Sequence, residues 1–113
     1  MLGPLLQQKK ITKIERKFSI ADGLAGDAPG ELAFEGVMKN VDEMITVSDE
    51  DIEKAMALII YRTKMFIEPS AAVTLAGLMS GKAFKGNKNV CLLSGGNANL
   101  KVVADIFNKV SVY

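Results

Sequence analysis

The hydrophobic positions of this chain fall into blocks of changing period, and those blocks predict its elements. After Pro29-Gly30, the residues Phe34, Val37, Met38 and Val41 stand at i, i+3, i+4 and i+7, which predicts a helix with one buried stripe. Met44-Ile45-Thr46-Val47 is short and rich in β-branched residues, so it reads as a strand. Ser48 then supplies an N-cap, with Asp49, Glu50 and Asp51 in the first turn of a second helix. Its stripe is Ile52, Ala55, Met56, Ile59 and Ile60, and Glu50 stands four residues before Lys54, where an ion pair can form. Pro69 suits a first turn, so a third helix opens after Glu68 with the stripe Ala72, Leu75, Ala76 and Met79, and Gly81 stops it. Beyond the turn Gly86-Asn87-Lys88-Asn89, the run Val90-Cys91-Leu92-Leu93 is apolar on both faces, as in a central strand of a covered sheet. A last helix carries Leu100, Val103, Ala104 and Phe107, and Val110-Ser111-Val112-Tyr113 is a short extended end.

After the first helix, the order is strand, two helices, strand, helix. Parallel strands need a long crossover, and the stretch from Ser48 to Gly86 supplies one. The expected class is therefore α/β, a partial parallel sheet with flanking helices. Two strands make an incomplete sheet and leave apolar area uncovered in a monomer, so a homo-oligomer or association with a complementary chain is expected.

Composition narrows the chemistry. A chain of 113 residues, 49% hydrophobic and 24% charged, is one globular domain. Fourteen Lys+Arg face thirteen Asp+Glu, so no global field steers nucleic acid or anionic lipid, and neither nucleic acid nor membrane is expected as a partner. The charge is uneven only in residues 1–18, a basic lead-in where Lys9, Lys10, Lys13, Arg16 and Lys17 face Glu15; residues 19–113 form the single α/β domain. The absence of histidine removes Ser-His-Asp catalysis, Cys-His catalysis and His-ligated zinc. Cys91 is the sole cysteine, so no intrachain disulfide forms; within its apolar run it reads as a small buried hydrophobe. The acids Asp42, Glu43, Asp49, Glu50, Asp51 and Glu53 lack the ligand alternation and glycine of a calcium loop, and no metal site is expected. The apolar opening Met1 to Leu6 precedes its cations at Lys9 and Lys10, the reverse of a secretory signal, and a cytoplasmic location is expected.

Two places can carry chemistry. In open α/β sheets ligands gather beyond the carboxyl ends of strands, and there stands Ser94-Gly95-Gly96-Asn97. Its glycines allow close backbone approach, Ser94 offers a hydroxyl, and Asn97 can cap the helix that follows. Local physics alone favours a structural turn here, because glycines also serve tight connections that bind nothing. Glu68 is a carboxylate beside the apolar Met65-Phe66-Ile67; taken alone, it reads as a helix-start acid.

In order along the chain, Ser19-Ile20-Ala21-Asp22-Gly23-Leu24, Pro29-Gly30-Glu31-Leu32, Ile67-Glu68-Pro69-Ser70-Ala71-Ala72 and Leu93-Ser94-Gly95-Gly96-Asn97 resemble the threonine/serine dehydratase and serine racemase family. These are fold-type II pyridoxal-phosphate enzymes, and the resemblance covers the carboxyl-terminal third of such an enzyme, part of its large domain. Ala72 departs from the family's usual glycine. The resemblance implies pyridoxal phosphate as cofactor, with Ser94 on the pyridine nitrogen and Gly95, Gly96 and Asn97 shaping the turn that holds it. Gly23 would lie near the reactive face and Glu68 close to the ring. A neutral hydroxyl on the ring nitrogen weakens the electron sink and favours β-elimination. The implied substrate is a hydroxy amino acid, turned into a 2-oxo acid and ammonia. The family's Schiff-base lysine motif, Ser-x-Lys-x-Arg-Gly-Ala, and its glycine-rich phosphate cup are both absent. Ser80-Gly81-Lys82-Ala83-Phe84 imitates only the first three positions, in an expected surface loop, so no catalytic lysine is assigned. The chain is expected to be a split-gene piece or truncated remnant of an ammonia-lyase; a racemase portion or a noncatalytic self-associating module is the alternative.

Overall fold

A computed structural model describes residues 18–26, 28–83 and 86–111. The basic lead-in up to Lys17, with Asp27, Phe84, Lys85 and the final Val112-Tyr113, lies outside the described residues. A 3-10 turn at Asp22–Leu24 precedes helices α1 (Glu31–Asn40), α2 (Asp49–Thr63), α3 (Pro69–Met79) and α4 (Leu100–Lys109).

Small side chains set how the two central helices meet. Ala55 and Ala57 of α2 and Ala71, Ala72 and Ala76 of α3 are buried together, so the helix backbones approach closely and Ile52, Met56 and Ile59 fill the remaining space. Gly77 extends this contact outward: a Cβ there would stand 2.8 Å from Ile45 Cδ1, which lets residues 44–47 lie against α3. α4 closes over α2 with Val103 and Ile106. The expected stripe on α4 is thereby rotated. Ile106, at 2% exposure, takes the inner place, while Leu100 and Ala104 face outward. α3 is likewise buried over a wider face than expected, and its Met79 is exposed.

Local signals in the sequence account for the helix ends. Ser48 Oγ accepts from the Asp51 N–H at 3.2 Å and donates to Asp51 Oδ2 at 2.8 Å, the cap read from the sequence. That hydroxyl, helped by the nearby Lys54 ammonium, holds the Asp51 carboxyl below the usual carboxylate range. Pro69 sits in the first turn of α3, and Gly81, at φ +73°, turns the chain away after it. Lys64 takes the left-handed conformation at the end of α2 with φ 60°, its Nζ donating to the Tyr61 carbonyl at 2.6 Å and standing 4.8 Å over the Tyr61 ring. The Glu50–Lys54 pair does not form; Lys109 of α4 instead reaches Glu53 of α2 at 3.0 Å.

Three expectations fail. The stripe of α1 is not buried: Phe34 and Val37 are half-covered, and Met38 and Val41 are exposed, because no other described element packs broadly on that helix. The parallel sheet is not present either, as no strand forms among the described residues. Residues 65–68 and 90–95 meet through one main-chain bond, Glu68 N–H to Gly95 O at 3.0 Å, and one bond is not a ladder. Nor is residues 90–93 a doubly covered run. Val90 is 95% and Leu92 72% exposed, with Cys91 and Leu93 half-buried, so Cys91 is not the buried hydrophobe expected.

Removing the cap by Ser48→Ala should cost about 1 kcal/mol of stability. The depressed Asp51 stabilises the fold above its unfolded-state pKa, and that contribution is lost as the pH falls through its lower folded value. Urea midpoints at neutral pH and at about pH 3 should therefore separate the wild type from Ser48→Ala more at neutral pH than in acid. Ile106→Ala should cost about 2–4 kcal/mol by leaving a cavity under α4, whereas Leu100→Ala should change the same midpoint by less than about 0.5 kcal/mol.

Candidate functional site

The residues singled out in the sequence, Asn97 apart, lie along one seam, where the carboxyl ends of residues 65–68 and 90–95 run out above the start of α3. The turn after Leu93 brings Ser94, Gly95 and Gly96 against Met65, Phe66 and Ile67, around an open depression of about 450 Å³. Thr74 of α3 fixes the approach from below, its hydroxyl donating to the Leu92 carbonyl at 3.3 Å. The Glu68–Gly95 main-chain bond fixes it from the side.

At three of these positions a Cβ would force a neighbour to shift, and at Gly96 that neighbour is backbone. A Cβ on Gly96 would come to 2.8 Å from the Phe66 carbonyl oxygen. One on Gly95 would lie 2.5 Å from Glu68 Oε1 and 2.8 Å from its Cδ, so the Glu68 carboxylate occupies the space a side chain would take. One on Gly23 would lie 2.7 Å from Ser70 Oγ and 3.8 Å from Glu68 Oε1. Glu68 thus stands between two glycine backbones from distant parts of the sequence, and its side chain does not cap the helix it precedes. The reading of Glu68 as a mere helix-start acid gives way to one in which the carboxylate faces Gly23 and Gly95.

Asn97 behaves otherwise than expected. It is exposed, and the cap of α4 is Asn99, whose side chain accepts from the Lys101 N–H at 2.9 Å. Helix α4 begins three residues beyond the turn, so its N-terminus belongs to Asn99 rather than to the Ser94 turn. Ser94 itself is exposed at the edge of the depression.

Two residues of the site escape a reading of the sequence. Asp49 is legible there only as a helix-start acid, yet its carboxylate accepts from Ser19 Oγ at 2.6 Å and from the Ile20 N–H at 3.3 Å. It thereby ties the segment leading to Gly23 onto α2. Ser70 is legible only as part of a motif, and it proves to be buried against Gly23 with no hydrogen-bond partner for its hydroxyl. Neither signal can be read locally, since both depend on contacts between residues about 30 or more apart in sequence. The lysines near the seam are held elsewhere: Lys82 Nζ donates to the Thr46 carbonyl at 3.0 Å and Lys64 to Tyr61. No group of three His, Cys, Asp or Glu side chains that could hold a metal occurs among the described residues. No helix there is long and apolar enough to cross a membrane.

Comparison with known proteins agrees with this geometry. Residues 1–96 match the family described as pyridoxal-phosphate dependent enzyme. An L-threonine ammonia-lyase of Thermotoga maritima is 36% identical over 104 residues, covering 92% of this chain and 26% of that protein. The solved threonine deaminase from T.th. superposes with a TM-score of 0.79 at 33% identity, over 85% of this chain and 35% of that one. Serine racemase from Dictyostelium discoideum superposes with a TM-score of 0.70 at 36% identity, over 85% of this chain and 31% of that one. The chain thus spans about a quarter of the length of that curated relative and about a third of each solved structure. Its fold is that of the matching part of these fold-type II enzymes, with no strand among the described residues. The seam of Ser94, Gly95, Gly96, Glu68 and Gly23, the family match and the superpositions lead to one conclusion: this chain belongs to the pyridoxal-phosphate dependent enzyme family, whose cofactor is pyridoxal phosphate.

Proposed function

We propose that this chain supplies the pyridine-nitrogen side of the cofactor site of a threonine/serine ammonia-lyase, which eliminates water from a hydroxy amino acid and takes water up again as ammonia is released, to leave a 2-oxo acid. The observation that carries the reading is the meeting of the Ser94-Gly95-Gly96 turn with Glu68, through the Glu68 N–H to Gly95 O bond and the carboxylate lodged against Gly95.

The residues present fit that side of the group. A planar ring needs a wall without side chains, and the Gly95-Gly96 turn at the depression provides bare backbone. A ring nitrogen needs a hydrogen-bonding partner, and the exposed Ser94 hydroxyl borders the depression. When bound, pyridoxal phosphate supplies an electron sink that makes the α-proton of an amino acid removable. Ser94, being neutral, would hydrogen-bond the ring nitrogen without adding a charge to it, which suits a short elimination. Gly95 and Gly96 would let the turn lie close to the ring, with Glu68 beside Gly95 holding the turn's backbone through its N–H. Gly23, in the segment tethered through Ser19 and Asp49, stands beside Ser70 and Glu68.

The fit stops at the far side of the ring. The Ser-x-Lys-x-Arg-Gly-Ala motif and the glycine-rich phosphate cup do not occur in these 113 residues, and Lys82 is turned toward Thr46. By itself the chain is therefore inactive in elimination, and a complementary chain or segment completes the site. The exposed Leu32, Val90 and Leu92 favour association, either with that complement or with a second copy. We place the reaction in the cytoplasm, in accord with the single free Cys91.

Mixing the chain with a lysine-bearing chain that spans the remaining part of a homologous ammonia-lyase should restore ammonia release from L-threonine or L-serine, with neither chain active alone. Ser94→Ala should lower the restored rate by about tenfold or more, as expected for loss of one charge-adjacent hydrogen bond. A well-folded mixed complex that binds cofactor and releases no ammonia would sink the ammonia-lyase reading, and interconversion of L- and D-serine by that complex would replace it with a racemase.

A further inference from the structure

Two apolar faces of this chain stay open, and their borders carry opposite charge. The first is the stripe of α1, where Phe34 and Val37 are half-buried, Met38 and Val41 are exposed, and no other described element packs broadly on the helix. Glu31 and Glu35 stand three residues before Phe34 and Met38 and so border the stripe, and Asp42 and Glu43 follow its end. Against these four exposed acids the stretch from 31 to 43 holds one cation, Lys39. The second is the outer face of the two extended runs beside the seam. Ile67 and Leu93 turn toward the core, so Phe66, Leu92 and Val90, of the other parity, turn away from it and are exposed. Residues 61–67 and 86–93 contain the exposed cations Arg62, Lys64 and Lys88 and no acid, and Lys64 keeps its charge while donating to the Tyr61 carbonyl.

Within one chain these faces do not meet, since α1 makes no broad contact with any described element. A helix stripe laid across an open extended face is the ordinary way such layers close. Two copies related by a two-fold axis supply each face with the other twice over and leave neither bare. The acidic border of each stripe then lies toward the basic runs, and a net charge of +1 opposes the approach of a second copy very little. Like faces have no such match: stripe on stripe sets acids against acids, and run on run sets cations against cations.

We propose that this chain forms a two-fold dimer in which the α1 stripe of each copy covers Phe66, Val90 and Leu92 of the other. The occupant of each open face is a second copy of this chain, and the contact does not depend on the reaction assigned above.

Sedimentation of the 113-residue chain tests it. Between about 5 and 300 µM the wild type should pass from monomer to dimer, the range of a contact at the small end of specific interfaces. Raising the salt from about 0.05 to about 0.5 M should weaken the dimer several-fold, because the exposed charges are then screened. Met38→Lys and Leu92→Lys change side chains that are already exposed, so each should leave the thermal midpoint within about 4 °C of the wild type. Each should weaken the dimer at least about tenfold. Mixing the two variants then decides which faces pair. Met38→Lys keeps an intact outer face and Leu92→Lys an intact stripe, so equal amounts should join through one good contact and associate more tightly than either variant alone. A mixture no tighter than the separate variants would mean that like faces meet, and that overturns the proposal. So does a dimer that salt strengthens, or assembly into open-ended chains. A wild type that stays monomeric at about 300 µM, as it would if only a different chain fits these faces, overturns it as well.

Discussion

The site depends on one close approach, that of the Gly95-Gly96 backbone to Phe66 and Glu68. Two chain segments that share a single main-chain hydrogen bond are held at a distance no Cβ would permit, and the carboxylate of Glu68 fills the space so left. Everything beneath serves that contact. The alanines of α2 and α3 bring the helices close enough for α3 to carry Glu68 up to the turn, and Thr74 pins the Leu92 carbonyl to the same helix. If α3 stood off by the width of a leucine, the depression would widen and the turn would lose its wall.

Charge has a smaller part than packing. The salt bridge between Lys109 and Glu53 joins α4 to α2 with the lysine largely in solvent, where such pairs contribute little. The Asp49 carboxylate matters more because of where it sits. By accepting from Ser19 and Ile20 it decides that the Gly23 segment crosses the amino ends of α2 and α3, bringing a residue from the start of the domain to the site. The same acid would be interchangeable with its neighbours if helix-dipole stabilisation were its whole purpose.

The apolar surface left open is as informative as the core. Leu32 on α1 and Val90 and Leu92 beside the site are exposed, and the backbone of residues 90–93 has no strand alongside it among the described residues. In relatives that are three to four times as long, the additional chain offers many ways to cover such faces. The half of the site built from these residues is formed by their own contacts.

The sequence by itself determined the helices and their ends, since these rest on neighbours within a few residues: the Ser48 cap, Pro69 in a first turn and Gly81 at positive φ were all readable from local chemistry. It also determined kinship, because four short motifs in order carry more information than any one of them. The tertiary structure decided which faces were buried, turning Ile106 inward in place of Leu100 and leaving the α1 stripe bare, because burial depends on what packs opposite and periodicity says only that a face exists. It also decided that the 90–93 run is no covered strand and that Asn99 rather than Asn97 caps α4. Last, it showed what stands against Gly23, Gly95 and Gly96: each faces an atom from a remote segment, and a linear pattern holds no record of distances between residues that only folding brings together.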